Sequence, residues 1–272
     1  THLTLAIIKR YKDEVGKSQL RRVQIPGVDN KVERTMADGE EPGALSGSCR
    51  RHVCGLLYVC RGSRPDISHS VGCLSRRLHK WRKIDDKRLN QVMSYLATHP
   101  DLGLLYYFNE RDLGAVGGDL WTDTDHAGDL QTSKSTSGSG LLCVGEHGTK
   151  ALIEWSSKLQ DYVALSSGEA ELVGVVQALR RVGLPGQLVL EELLGDRQEE
   201  IHLCVRIDNT AAETISRTGM TKEMKYLKKT QRIAESWVYE QVYQRRSDRS
   251  TKVVGTKENL ADIFTKALDR ET

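Results

Sequence analysis

With 272 residues, 28% of them charged and 38% hydrophobic, the chain is long enough for one or two hydrophobic cores and too ordinary in composition for a wholly disordered protein. Its longest apolar run, Val53 to Cys60, is about eight residues where roughly 20 are needed to cross a bilayer, so no membrane partner is expected. The formal net charge of +3 hides an asymmetry. Residues 1 to 110 carry 19 Lys and Arg against 12 Asp and Glu, and residues 111 to 272 carry 21 against 25. Within the basic part, residues 50 to 88 hold 11 basic side chains against 3 acidic ones. That density suits a phosphate backbone, and it equally suits a solvated helix face.

The amino terminus, Thr1 to Thr4, has no initiator Met and no basic segment leading into an apolar core, so the sequence reads as a piece of something longer without a secretory leader. The six cysteines, Cys49, Cys54, Cys60, Cys73, Cys143 and Cys204, contain no C-x-x-C pair and are expected as reduced thiols. His52 and His69 lie among the first four, but the spacings match no zinc-ligand pattern.

In chain order, residues 1 to 48 read as a short element and an exposed connector. Three helical stripes follow. They are Val53, Leu56, Leu57 and Cys60; then Val71, Leu74, Leu78 and Trp81; then Leu89, Val92, Met93 and Leu96. Ser63 to Asp66, with Pro65, is expected to start the second helix, and Asp85 and Asp86 to cap the third. Arg76, Arg77, Lys80, Arg82 and Lys83 fall off the second stripe and predict a basic outer face.

After His99-Pro100 the texture changes to short strands. Residues 104 to 108, 120 to 124, 140 to 145 and 149 to 155 are strand-like, the last two flanking a Glu146-His147-Gly148 turn. A helix is expected from Ser166 to about Val182, a strand from Ile201 to Asp208 and a helix from Thr210. A basic helix is expected over 222 to 238, a strand within 242 to 254 and a terminal helix around Leu260, Ile263, Phe264 and Ala267. The order β-β-β-α-β-α-α-β-α predicts a mixed α/β sheet with helices.

This order would bring four carboxylates to one end of the sheet: Asp123, Glu171, Asp208 and Asp262. Like charges held close resist ionisation unless cations compensate. Hard divalent cations with oxygen ligands do so, and a pair about 3.5 to 4 Å apart clamps both the attacking and the leaving oxygen of a phosphodiester. Taken singly, Asp123 also fits a polar strand end, Asp208 a turn or cap, and Asp262 a helix first turn. Glu171 stands apart, because Ser166-Ser167-Gly168-Glu169 already supplies a capping box.

Five blocks, Trp121 to Asp129, Lys134 to Gly138, Ala164 to Glu171, Asp208-Asn209 and Glu258 to Lys266, resemble in order and spacing the ribonuclease H domain of copia-type retrotransposon polyproteins. Upstream, Leu56-Leu57-Tyr58, Arg64-Pro65-Asp66-Ile67, Tyr95-Leu96 and Asp101 to Leu104 are similar to the end of the same family's reverse transcriptase. The resemblance implies a ribonuclease H-like mixed five-stranded sheet with flanking helices over residues 116 to 272. It implies a mainly helical, thumb- or connection-like region over residues 1 to 115. It matches Asp123, Glu171, Asp208 and Asp262 to the family's catalytic, metal-binding carboxylates, with two Mg2+ or Mn2+ ions and no small-molecule cofactor. The implied reaction is hydrolysis of the RNA strand of an RNA:DNA hybrid, leaving a 3′ hydroxyl and a 5′ phosphate.

Ser166, Ser167 and Gly168 stand where they could approach the RNA ribose or merely cap a helix. Lys222, Lys225, Lys228, Lys229 and Arg232 either hold the DNA strand's phosphates or form a solvated face. The implied partners are the hybrid and the polymerase part of a parent polyprotein, and the retroelement life cycle implies a cytoplasmic or nuclear site rather than secretion. The family commonly has Trp where His126 stands and a Lys-His-Ile-Asp run near Lys225-Tyr226-Leu227-Lys228. No hydrophobic strand carries a Tyr-x-Asp-Asp motif, so no DNA synthesis is expected. Two readings remain: a metal-dependent ribonuclease H, and a retroelement fragment that binds nucleic acid without cutting it. A DNA-integrating nuclease fits less well, because such sites usually rest on three carboxylates.

Overall fold

The computed structural model describes residues 2–28, 41–129, 131–195, 200–219 and 235–266. The chain divides into two compact units, residues 1–104 with the segment from Lys266 onward, and residues 105–265.

The first unit is helical. Helix α1 (His2–Val15) buries Ile7, Ile8 and Tyr11, and α2 (Cys49–Gly62) buries Val53, Leu56, Val59 and Cys60. A 3-10 turn at Pro65–Ile67 leads into α3 (Ser68–Ser75), and α4 (Lys83–Thr98) completes the unit. The three expected stripes converge on one core with Ile7 and Tyr11. The second helix is shorter than its stripe, since α3 ends at Ser75 while Leu78 and Trp81 reach the same core from the following turns.

Asp85 caps α4 as expected, accepting the Arg82 backbone N–H at 2.9 Å. Arg77 corrects the expected basic outer face. It turns inward and pairs with Asp85 at 2.5 Å, because a fully buried carboxylate needs charged partners, and Arg88 supplies another at 2.9 Å.

The second unit is built on a five-stranded sheet of order β3-β2-β1-β4-β5. Strands β1 (Gly117–Asp125), β2 (Thr136–Val144) and β3 (Lys150–Leu159) form the antiparallel meander read from the alternation, with Asp123 opposite Gly138. Strands β4 (Leu203–Ile207) and β5 (Arg249–Val253) then run parallel to β1. Residues 104 to 108 are not a strand. Tyr107 makes one isolated bridge to Lys150, and Leu105, Tyr106, Tyr107 and Phe108 are exposed, with no second row of partners to build a ladder.

Helix α5 (Ser167–Ala178) runs through a π-helical turn at Leu179–Gly183 into α6 (Leu184–Leu194), so this helical stretch extends beyond Val182. Pro185 stands directly after the π-helical turn, where the regular i→i−4 ladder of this continuous helix is already interrupted. Helices α7 (Thr210–Thr218) and α8 (Glu235–Tyr239) follow β4. The expected terminal helix is a 3-10 turn, Leu260–Phe264. Leu120, Leu141, Val175, Leu179, Val205 and Ile207 form the main core between sheet and helices. Three antiparallel strands followed by two parallel ones, with helices between, give the ribonuclease H-like mixed sheet that the motifs implied.

Candidate metal centre

Strand register places the first two carboxylates. β1 and β4 pair in parallel with Trp121 opposite Arg206, and Asp123 and Asp208 each lie two residues further on. Neighbouring strands are about 4.8 Å apart, so these side chains leave the same end of the sheet side by side. Helix α5 brings the third. Its Gly174 lies so close to β1 that an added Cβ would come within 2.3 Å of Thr124 Oγ1, and Glu171 is one turn before that contact. A larger residue at 174 would push the helix, and Glu171 with it, away from the sheet.

Asp123, Glu171 and Asp208 each offer a carboxylate oxygen, and these oxygens lie within 4.8 Å of one another. Asp123 and Glu171 are buried, with 4% and 8% of their surface exposed. Three acidic groups so placed repel one another strongly in a medium less polarisable than water. A set of hard oxygen donors fits Mg2+ or Mn2+ and not a thiophilic metal.

Asp262 lies outside that group of three and occupies the 3-10 turn beside it. The turn is tied to Asp123 from both ends. Asn259 Nδ2 donates to the Thr122 carbonyl at 2.9 Å and to Asp123 Oδ1 at 3.4 Å, and Thr265 Oγ1 donates to Asp123 Oδ2. Gly138 makes this docking possible, since a Cβ there would meet Thr265 Cγ2 at 2.6 Å, Phe264 Cβ at 2.8 Å and the Ala261 carbonyl at 3.0 Å. Reading the sequence for acidic residues missed Asn259 and Thr265. Both lie in the Glu258 to Lys266 block, but a neutral side chain next to a carboxylate has no periodic or spacing signature.

Ser166 is the N-cap of α5, accepting the Glu169 N–H at 3.2 Å. Glu169 reaches back one residue further than expected, to the Leu165 N–H at 2.8 Å. Ser166 and Ser167 are exposed and Gly168 is half-buried at this helix start. His126 is exposed past the end of β1, its Nε2 3.4 Å from the Ala164 carbonyl oxygen. Lys222, Lys225, Lys228, Lys229 and Arg232 lie outside the described residues.

A five-stranded sheet of this order with a carboxylate cluster at the shared end of β1 and β4 defines the ribonuclease H-like class. The chain is similar to the retrovirus-related Pol polyproteins of transposons. It is 32% identical over 222 residues, 80% of its length, to the retrovirus-related Pol polyprotein from transposon TNT 1-94 of Nicotiana tabacum. It is 37% identical over 122 residues, 44% of its length, to that from transposon RE2 of Arabidopsis thaliana. The matches span 15% and 8% of those two polyproteins. No family model matches the chain. Among solved structures, the LC11 RNase H1 isolated from compost aligns with a TM-score of 0.38 at 15% identity, over 55% of this chain and 92% of that one.

Proposed function

We propose that the chain is a divalent-metal-dependent endonuclease that hydrolyses the RNA strand of RNA:DNA hybrids. The observation that carries this reading is the meeting of Asp123, Glu171 and Asp208, delivered by a strand, a helix and a strand end, with carboxylate oxygens within 4.8 Å. A structural role would not require three buried or half-buried acids from three elements to be held together. With two Mg2+ or Mn2+ ions bound, the site would supply an activated water and neutralise charge developing on the phosphodiester.

In this reading the three carboxylates hold the metal, and Asp262 completes the set from the neighbouring turn. Asn259 and Thr265 fix the Asp123 carboxylate so that both oxygens keep one orientation. The exposed start of α5, Ser166 to Gly168, approaches the ribose of the RNA strand, where a 2′-hydroxyl distinguishes RNA from DNA. Lys222, Lys225, Lys228 and Lys229 would hold the phosphates of the DNA strand. Residues 1 to 115 are read as the thumb or connection remnant of a reverse transcriptase, working beside the polymerase part of a parent polyprotein in the cytoplasm or nucleus, without DNA synthesis of its own.

The test is cleavage of an end-labelled RNA:DNA hybrid with Mg2+ or Mn2+, with RNA duplex and DNA duplex as controls. Cutting of the RNA strand alone, lost in EDTA and in Asp123→Asn and Asp208→Asn, is the expected result. A folded protein that binds hybrid in a salt-sensitive way and never cuts it would replace the nuclease with a nucleic-acid-binding module.

A further inference from the structure

The first unit contains a cavity of about 370 Å3 that the carboxylate site does not use. Pro42 and Ser46 line it from one segment, and His79, Lys80, Trp81 and Arg82 from the turns between α3 and α4. Its volume falls within the range of small-ligand sites, roughly 300 to 1,000 Å3. Both walls are fixed by backbone. The Lys80 N–H donates to the Arg77 carbonyl at 2.8 Å, the Gly43 N–H to the Trp81 carbonyl at 3.3 Å and the Lys83 N–H to the Glu41 carbonyl at 3.2 Å. Pro42 and Arg82 form an antiparallel bridge. Asp86 ties the segments together a second time, accepting from the Ala44 N–H at 2.6 Å and from the Trp81 indole N–H at 2.7 Å. The cavity is therefore shaped before any ligand arrives.

Its lining carries Lys80, Arg82 and His79 and no acidic side chain. Among the described residues, none of these three is engaged in an ion pair. The acids closest in sequence are committed elsewhere. Asp85 pairs with Arg77 and Arg88, Glu41 pairs with Lys83 at 3.2 Å, and Asp86 is held by the contacts just described. His79 and Lys80 are exposed and Arg82 is half-buried, so their polar ends reach a ligand without first leaving a protein partner.

We infer that this cavity binds a phosphomonoester, the group carried by a mononucleotide and by the phosphorylated 5′ end of a nucleic-acid strand. Charge selects it. A phosphomonoester carries about −1.5 to −2 at pH 7, where an internal phosphodiester carries a single charge, and Lys80 and Arg82 supply two permanent positive charges to match. The guanidinium of Arg82 offers a planar fork of donors to the phosphate oxygens, and the ammonium of Lys80 a point charge. Ser46 and His79 add neutral donors, while Pro42 gives the attached sugar or base an apolar wall. This binding is independent of the carboxylate cluster, which lies in the other unit, and does not require that the chain cut hybrids.

The test is fluorescence anisotropy of the full chain with a short 3′-labelled single strand that carries either a 5′ phosphate or a 5′ hydroxyl. EDTA is present throughout, so that metal-dependent cleavage plays no part. The 5′ phosphate is expected to tighten binding by about 10- to 100-fold. Lys80→Gln with Arg82→Gln is expected to abolish that preference and leave binding of the hydroxyl strand unchanged. Circular dichroism establishes that the variant is folded. Lys80→Gln alone, at an exposed side chain, is expected to reduce the preference by about 3- to 10-fold and serves if the pair does not fold. Unlabelled inorganic phosphate and adenosine monophosphate then distinguish the sources of the group. Equal displacement by both assigns the site to the bare phosphate, stronger displacement by the nucleotide adds the sugar and base, and displacement by neither assigns it to the strand end; all three support the proposal. A wild type that binds the phosphorylated and the hydroxyl strand equally would overturn it. So would a folded variant that keeps the full preference.

Discussion

Thr265 Oγ1 donates a hydrogen bond to Asp123 Oδ2 from 142 residues further along the chain. Asn259, six residues before Thr265, reaches the other oxygen of the same carboxylate at 3.4 Å. A ligand carboxylate held in this way is oriented before a metal arrives, and loss of such supporting bonds typically costs 10- to 100-fold in metal affinity or activity. Thr265→Ala and Asn259→Ala should therefore each reduce hybrid cleavage by about 10- to 100-fold. Part of the loss should be recovered at high Mg2+, as a titration of rate against metal concentration will measure.

The carboxylate cluster should make the metal-free protein less stable than it could be. Asp208→Asn removes one of three close negative charges, worth of order 1 to 4 kcal/mol at about 4 Å for effective dielectric constants of roughly 80 to 20. In EDTA its Tm is expected to rise above that of wild type. Adding Mg2+ at about 100 times its Kd should stabilise the wild type by about 2.7 kcal/mol and the variant much less, so that the order of the two Tm values narrows or reverses.

Gly138 is the close-contact point between β2 and the turn that carries Asp262. Gly138→Ala places a Cβ 3.0 Å or less from Thr265, Phe264 and the Ala261 carbonyl, and a backbone oxygen cannot rotate away. Overpacking of this kind costs about 1 to 3 kcal/mol. Chemical denaturation should register that loss. Cleavage should fall further than stability does, because the turn moves away from Asp123.

Asp112 should give the second unit a component of acid sensitivity. Burial of its carboxyl raises the pKa, but hydrogen bonds from Thr149 and His147 outweigh that and hold it well below the usual carboxylate range. The backbone N–H groups of His147 and Thr149 donate to it at 2.8 and 3.0 Å, pinning the β2–β3 turn. A group depressed in the folded state binds fewer protons there than when unfolded. Its stabilising contribution is thus complete above the ordinary value near 3.9 and is lost as pH falls below that toward the lowered one. Thermal unfolding of Asp112→Asn should start from a lower Tm at neutral pH and lose less than wild type between about pH 5 and pH 2.

The meander β1 to β3, the strand β4 and the helix opening at Ser166 were legible because each carries its own period or cap, and those signals are local. The motif blocks around Asp123, Glu171, Asp208 and Asp262 were read through their resemblance to the copia-type ribonuclease H domain, and the chain's similarity to transposon Pol polyproteins accords with that resemblance. Less was legible where geometry rather than pattern decides. Residues 104 to 108 have the apolar texture of a strand but lack a partner row, and Arg77 lies off its stripe yet turns inward because the buried Asp85 carboxylate takes it as a second charged partner beside Arg88.

Which faces are apolar, where the chain turns and which residue types can hold a hard cation follow from side-chain chemistry and periodicity alone. That Asp123, Glu171 and Asp208 meet while Asp262 stands beside them, and that Asn259 and Thr265 hold the first of them, follows from long-range packing. Such distances depend on parallel register between strands far apart in the chain and on close approaches allowed by Gly138 and Gly174, and no local pattern encodes either.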